Sequence, residues 1–365
     1  MKDGKKFYLI SLLYPTIDGF VSFILPRKLV SISRQDIGLM SARYFTGFFT
    51  DLLIFRKFCT ERCKSVLMVA FLALFLSLLF LLPGSLLFIL LSLVLYGIVD
   101  ITFWSAATGY LERMTDNLEK DLELFSFFTL LGYFLSIINL LFYLFFHKLV
   151  FLVLFGIVGA LIVLGRLLVP DKLVTCQQVT LNRKNLKKYV LVFLSAFLFF
   201  CWLSTYFIIL PSILKLLGIS FLVSALIFAG FNLSRALAGL VYARIIRHLP
   251  KKFRSSYKLA YFLAACGAFT AAALLAKNIY FIFVCTLAAA AIFMLAYNEW
   301  FEEMNGKFPA LCHSGEIGVF VTMGSELAFC VTPLVTAALG KLVDLQFVLY
   351  PILLIIILHI LLFNK

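Results

Sequence analysis

Apolar residues occur along this chain in long runs that are separated by short polar segments. A bilayer core about 30 Å thick is crossed by a helix of roughly 20 apolar residues. Runs of that kind lie at 7–26, 36–55, 65–82, 86–109, 124–146, 149–168, 189–210, 220–243, 258–276, 279–298, 316–339 and 345–363. We expect no cleavable signal peptide before the first run. The pattern therefore predicts an all-α integral membrane protein with twelve membrane-spanning helices.

Composition supports the same fold class. Hydrophobic residues make up 63% of the chain and charged residues 14%, whereas soluble domains run near half and a quarter. The short alternating strands of an outer-membrane barrel do not occur in the sequence. Little sequence remains between the spans for a soluble domain.

The net charge of +14 is unevenly distributed between the two predicted sides of the membrane. With the N-terminus in the cytoplasm, the inner segments carry 23 Lys and Arg and the outer loops carry 7. This bias follows the positive-inside rule, so we expect both termini in the cytoplasm, in a plasma (inner) membrane. The basic charge is thus a topology signal, and no nucleic-acid partner is predicted.

The longest polar stretch, 170–188, divides the predicted helices into two sets of six. We predict an N-terminal bundle at 1–168, a cytoplasmic linker at 169–188 and a C-terminal bundle at 189–365. An ungapped offset of 192 residues superimposes scarce residue types of the two halves. The matched pairs are Tyr14 and Tyr206, Gly38 and Gly230, Arg43 and Arg235, Gly47 and Gly239, Arg62 and Arg254, and Gly132 and Gly324. We infer an internal duplication.

The loop after the second span carries a motif that points to a family. The major facilitator superfamily has Gly-x-x-x-Asp-Arg-x-Gly-Arg-Arg/Lys there, and this chain has Gly47, Asp51, Arg56 and Lys57 in that region. It lacks the Arg after the Asp and the second Gly. The loop after the eighth span keeps a Gly and an Arg and has Ala243 in place of the acid. Over its whole length the chain resembles this superfamily, which implies two pseudo-symmetric six-helix bundles.

The resemblance also implies a gate at the cytoplasmic side. The two motif glycines allow close approach of helix ends. Asp51 would face the N-terminus of the eleventh helix near Ser314, and Glu112 would pair with the basic loop. The predicted gating residues are Gly47, Asp51, Arg56, Lys57, Arg62, Glu112, Gly239 and Arg244. The alternative is an ordinary basic inner loop with no gating role.

Arg43 and Arg235 lie deep within predicted spans, where a charge is costly and must face protein or water. Three acids also lie within spans and are candidates for pairing: Asp18, Asp100 and Glu326. One interpretation is a structural ion pair of Arg43 with Asp18 or Asp100. The other is a central cavity in which both arginines face an anionic group. The residues alone leave both open.

Three aromatic residues complete the predicted solute site. Trp104 lies four residues after Asp100, and Trp202 lies four residues before Tyr206, so each pair shares a helix face. The predicted solute-binding residues are Arg43, Arg235, Trp104, Trp202 and Tyr206.

The sequence favours transport over other functions. It contains no zinc-protease motif, no paired His and Asp set and no serine elbow, so neither an enzyme nor a cofactor is predicted. Cys59 and Cys63 are expected to be free thiols and not a metal site. We predict a monomeric secondary active transporter of a small organic, anionic solute that works by alternating access in the bilayer. Efflux of hydrophobic compounds is the alternative, although the fifth helix lacks the Gly-Pro-rich signature of drug exporters. A lipid flippase or scramblase is the third.

The energy source is predicted to be an ion gradient, because the chain has no G-x4-G-K-[ST] nucleotide loop. Carboxyl groups in apolar surroundings favour the proton as that ion. An acid paired with an Arg would stay ionised, so Glu326 is the first candidate carrier. Asp18 is the second, and Asp100 the third.

Overall fold

The computed structural model describes residues 4–50, 63–114, 118–169, 185–250, 256–308 and 316–339. The regular secondary structure of these residues is helical. The chain divides into two compact units, and each is built from long apolar helices.

Unit 1 comprises residues 1–24 and 39–177. Its helices, with the whole of the first helix, are α1 Gly4–Ile32, α2 Met40–Thr50, α3 Cys63–Leu81, α4 Leu86–Met114, α5 Leu118–Phe145 and α6 Leu149–Leu168. In this unit α3 packs against α4 and α6, and α2 packs against α4.

Unit 2 comprises residues 25–38 and 178–365. Its first complete helix, α7, spans Leu186–Leu216. The others are α8 Phe221–Arg244, α9 Ser256–Leu275, α10 Ile279–Lys307 and α11 Glu316–Leu339. In this unit α11 packs along α7, while α8 and α9 pack along α10.

The predicted spans agree closely with these helices. In the described residues, nine helices are long and apolar enough to cross a membrane, and α6 and α11 have the predicted bounds. The second span is described only as far as Thr50, and the predicted twelfth span, 345–363, lies outside the described residues. The integral membrane class is confirmed; the count of twelve and the two-bundle arrangement stay predictions.

Glycines set the close helix crossings. A Cβ at Gly97 of α4 would overlap the carbonyl oxygen of Arg43 on α2, and one at Gly132 of α5 would overlap the carbonyl oxygen of Leu12 on α1. In unit 2, a Cβ at Gly324 of α11 would lie 2.7 Å from the carbonyl oxygen of Phe193 on α7. A glycine therefore allows α5 to lie close against α1, and another allows α11 to lie close against α7.

The end of α1 and the turn after it belong to unit 2. Arg27 donates a hydrogen bond to the carbonyl oxygen of Pro211 at 3.1 Å. Lys215 in turn donates to the carbonyl oxygen of Arg27 at 3.1 Å and to the hydroxyl of Ser31. The predicted division into domains at 168 and 189 places this segment elsewhere and stays a prediction.

α7 contains one wide turn. Residues Leu186–Ser204 are α-helical, Thr205–Ile209 form a π-helical turn, and Leu210–Leu216 resume the α-helix. The backbone N–H of Leu210 bonds to the carbonyl oxygen of Thr205, five residues earlier. Such turns are rare and occur frequently at functional sites.

Candidate functional site

Three helices of unit 1, α1, α2 and α4, meet at the guanidinium of Arg43. This side chain is 1% exposed, and its Nη2 lies 2.6 Å from Asp18 Oδ1 on α1 and 2.8 Å from Asp100 Oδ2 on α4. Its Nη1 donates to the hydroxyl of Ser22 at 3.0 Å. Of the two pairings that the sequence left open, Arg43 makes both at once.

Each carboxylate has further hydrogen bonds. Asp100 Oδ1 accepts from the Tyr14 hydroxyl at 3.0 Å and from Trp104 Nε1 at 2.8 Å. Asp18 Oδ1 accepts from Ser22 at 3.1 Å, and Asp18 Oδ2 is hydrogen-bonded to the hydroxyl of Tyr133 on α5. We call this set the Arg43 cluster: it consists of Tyr14, Asp18, Ser22, Arg43, Asp100, Trp104 and Tyr133.

Two tyrosine rings cover the guanidinium. Its carbon lies 4.4 Å from the ring centre of Tyr96 and 4.9 Å from that of Tyr44. Cation–π contacts of this kind stabilise a cation that has been removed from water. The cluster is thus a built ionic site and not a stray charge in an apolar helix.

The close crossings explain how the cluster assembles. Gly97 brings α4 against the backbone of α2, and Asp100 lies three residues further on the same helix face. Gly132 likewise brings α5 against α1, and Tyr133 is the next residue. Sequence reasoning missed Tyr14, Ser22 and Tyr133. The glycine directly before Tyr133 was the one available signal for it.

Arg235 on α8 has different surroundings in unit 2. Its guanidinium carbon lies 5.6 Å from the ring centre of Phe231 and 5.8 Å from that of Phe293. Its Nη1 donates to the side-chain oxygen of Asn232 at 3.3 Å. The side chain is half-buried.

Trp202 and Tyr206 share a helix face, as their spacing predicted, and their rings stack with centres 4.2 Å apart. They are only 1% and 2% exposed, and the Tyr206 hydroxyl donates to Thr270 at 2.8 Å. Both rings are therefore core residues of unit 2 that support other side chains.

The remaining acids of unit 2 are spread over two helices. Glu326 is half-buried on α11. Glu299 on α10, which sequence reasoning missed, is buried and accepts a hydrogen bond from the Tyr242 hydroxyl at 2.9 Å.

Only part of the predicted gate lies in the described residues. Asp51, Arg56, Lys57 and Arg62 lie outside them, as does the side chain of Glu112. Gly47 is buried on α2, next to Gly97.

The helix ends of unit 2 carry an ion pair of the kind predicted for the gate. Arg244 is exposed at the end of α8, and a Cβ at Gly239 would meet only ordinary contacts with Met294. Shortly after α8, Arg247 Nε lies 2.8 Å from Glu302 Oε1 on α10. A basic residue after the eighth helix thus pairs with an acid on the tenth.

The family model of the Major Facilitator Superfamily matches residues 7–307. The chain belongs to this superfamily. Its activity is therefore membrane transport and not enzymatic catalysis. A comparison with curated proteins finds no significant match.

Solved structures share the superfamily's fold with this chain. A POT family transporter in complex with 5-aminolevulinic acid has a TM-score of 0.75 and 9% identity, over 99% of this chain and 95% of that one. A bacterial homologue of the iron transporter ferroportin in its outward-facing state has a TM-score of 0.70 and 15% identity, over 100% of this chain and 99% of that one. The human organic anion transporter MFSD10 has a TM-score of 0.66 and 14% identity, over 99% of this chain and 98% of that one.

Proposed function

We propose that this superfamily member is a secondary active transporter of a small organic anion, that it works by alternating access, and that it is coupled to protons. The observation that carries the proposal is the charge balance of the Arg43 cluster. Two carboxylates and one guanidinium are buried together, which leaves one surplus negative charge.

A surplus charge in a buried site is costly, and a bound proton removes it. Asp100 accepts from Arg43 and Trp104, which can only donate, and from Tyr14. Asp18 Oδ2 faces the Tyr133 hydroxyl, and a hydroxyl can accept as well as donate. The single guanidinium of Arg43 balances only one of the two carboxylates, so pairing with Arg43 does not keep both ionised, and we assign the proton to Asp18 Oδ2. Glu326, the first candidate from sequence, becomes the second.

The solute's anionic group is assigned to Arg235. The guanidinium of Arg43 is occupied by two carboxylates and Ser22, so an anion there would have to displace one of them. Arg235 is half-buried and lies beside the rings of Phe231 and Phe293, where its positive charge attracts an anion. Neighbours of the same fold include an organic anion transporter and a complex with 5-aminolevulinic acid. What these neighbours share with this chain is the fold, and that shared fold is the support they give to an organic anion as the solute.

Alternating access would require contacts at the cytoplasmic side that form and break. We assign this role to Gly47, Asp51, Arg56, Lys57, Arg62, Glu112, Gly239 and Arg244. The half-buried pair of Arg247 and Glu302 supports this assignment, since an ion pair that water reaches costs little to break.

Efflux of hydrophobic compounds remains the second candidate, because the abundant aromatic side chains suit such cargo as well as an organic anion. A lipid flippase or scramblase is the third. The buried Arg43 cluster favours ion coupling over passive lipid movement, since a scramblase has no use for a proton site.

The test is infrared difference spectroscopy of the purified protein during a pH titration, because a protonated carboxyl has its own C=O stretch. Asp18→Asn should abolish the membrane-buried carboxyl band, and Glu326→Gln should leave it unchanged. In proteoliposomes, Asp18→Asn should abolish accumulation of labelled carboxylates driven by a pH gradient while exchange persists. A band and a pH-driven accumulation that survive Asp18→Asn but vanish in Glu326→Gln would reassign the carrier to Glu326. If both variants keep the carboxyl band and the pH-driven accumulation, neither Asp18 nor Glu326 is the proton carrier.

A further inference from the structure

Four half-buried aromatic rings form a continuous surface in unit 2. Phe200 on α7 lies 5.5 Å from Tyr297 on α10 and 6.2 Å from Phe329 on α11, measured between ring centres. Phe301, one turn after Tyr297, lies 6.2 Å from it. We call these four residues the ring surface.

The ring surface does not belong to the lipid-facing stripes of its helices. On α11 the exposed residues include Leu334 and Val335, and Phe329 lies five residues before Leu334, about 140° around the helix. On α7 the exposed apolar residues before the π-helical turn are Leu186, Val190 and Leu194, and Phe200 lies about 120° from Leu194. Rings that merely met lipid would continue those stripes.

A buried column of near-parallel rings holds the ring surface in place. Neighbouring ring centres along it are 5.7, 4.2, 5.1 and 6.1 Å apart, and the planes differ by 4°, 26°, 7° and 7°. The column runs through Phe231, Tyr206, Trp202, Phe293 and Tyr297. Tyr297 is its one half-buried member, so a flat ligand would meet a ring that is already fixed. A preorganised contact loses little conformational freedom on binding.

Arg235 adds a positive charge beside this column. Its guanidinium carbon lies over the ring of Phe293, which stacks on Tyr297. A cation and a ring face are thus presented one ring apart on α8 and α10.

We propose that the solute is a flat aromatic or conjugated carboxylate, with its ring on Tyr297 and Phe200 and its carboxylate on Arg235. This inference rests on the proposed function and narrows its solute class. Aromatic pairs bind more strongly than their buried area accounts for, and a carboxylate on a guanidinium forms charge-assisted hydrogen bonds. A saturated ring of the same size and charge cannot make the aromatic contact. A neutral aromatic amide cannot make the charge-assisted hydrogen bonds.

The test is calorimetric binding to the purified, unmutated protein in detergent with three probes: benzoate, cyclohexanecarboxylate and benzamide. Benzoate should bind about two- to tenfold more tightly than cyclohexanecarboxylate. It should bind about ten- to a hundredfold more tightly than benzamide. Equal affinity for benzoate and cyclohexanecarboxylate, or absence of benzoate binding, would overturn the proposal.

Variants locate the site. Tyr297→Leu should remove the preference for benzoate over cyclohexanecarboxylate, whereas Tyr297→Phe should keep it. The matched control is Phe269→Leu, which removes an aromatic ring that is 56% exposed on α9 and should change neither affinity. Arg235→Gln should bring benzoate to the affinity of benzamide. A preference that survives Tyr297→Leu would overturn the assignment, and the three-probe comparison stands even if that variant does not fold.

Binding and transport fail separately. If the probes bind with the expected order but no carboxylate accumulates under a pH gradient, the site stands and the transport proposal falls. If carboxylates accumulate without a preference for flat rings, the aromatic inference falls and proton-coupled transport stands.

Discussion

Gly97 lies so close to Arg43 that a methyl group at position 97 would overlap the carbonyl oxygen of Arg43. Gly97 is in the interior of α4 and Arg43 is in the first turn of α2, so neither backbone can shift without disturbing its helix. The position of Asp100, one turn after Gly97, depends on this contact. A small residue is therefore required here by the distance between two helices and not by backbone conformation.

The first prediction is that Gly97→Ala destabilises the protein by about 1–3 kcal/mol, the usual cost of overpacking. Thermal unfolding in detergent, followed by circular dichroism, measures the effect. The matched control is Gly239→Ala in unit 2, because a Cβ there would lie 3.4 Å from the flexible side chain of Met294. Equal melting temperatures for the two variants would contradict the close contact of α2 and α4.

The second prediction concerns the buried charges. Arg43→Met should destabilise the protein by about 3–5 kcal/mol, because it leaves buried carboxylates without their cation. Adding Asp100→Asn should recover part of that loss, since it removes one of those carboxylates. Chemical unfolding in mixed micelles measures both variants. A double variant less stable than Arg43→Met would mean that the hydrogen bonds of Asp100, and not its charge, dominate.

The third prediction is a contrast with that buried site. Arg247 and Glu302 are 33% and 29% exposed, so Glu302→Gln should cost less than about 1 kcal/mol. The difference from the parent protein should shrink further in high salt, which screens exposed charges. A loss as large as that of Arg43→Met would show a buried, structural pair.

The fourth prediction concerns orientation. Cys59, Cys63 and Cys176 should react with impermeant thiol reagents only from the cytoplasmic side, because their segments follow the charge bias. The control is Lys148→Cys, in the exposed turn between α5 and α6, which should react only from outside. The buried Cys201 should react from neither side. Labelling of Cys176 by an impermeant reagent added outside intact cells would show that the predicted orientation is wrong.

The helices were accessible to sequence reasoning because lipid imposes a simple rule of length and hydropathy. The bounds of α6 and α11 follow that rule directly. α1 and α10 are longer than the predicted spans, since hydrogen bonding continues the helix beyond the apolar run into polar residues.

The site was accessible only in part. Charges within spans drew attention to Arg43, Asp18 and Asp100, because such residues are rare in lipid. That both acids meet one nitrogen depends on two helix crossings, which no spacing along a single helix encodes. Tyr133 and Tyr297 escaped for the same reason, because tyrosines are ordinary in apolar helices and their contacts are set by neighbouring helices.

The wide turn of α7 has a mechanical consequence. A π-helical turn interrupts the regular i to i−4 pattern at Thr205–Ile209, and Pro211 follows without an N–H to donate. On one side of this joint, Trp202 is fixed in the ring column. On the other side, Lys215 holds the last turn of α1. α7 therefore consists of two helical segments with a hinge at the π-helical turn. Because the angle between the segments can change at that hinge, the end of α1 can be displaced without unstacking the rings.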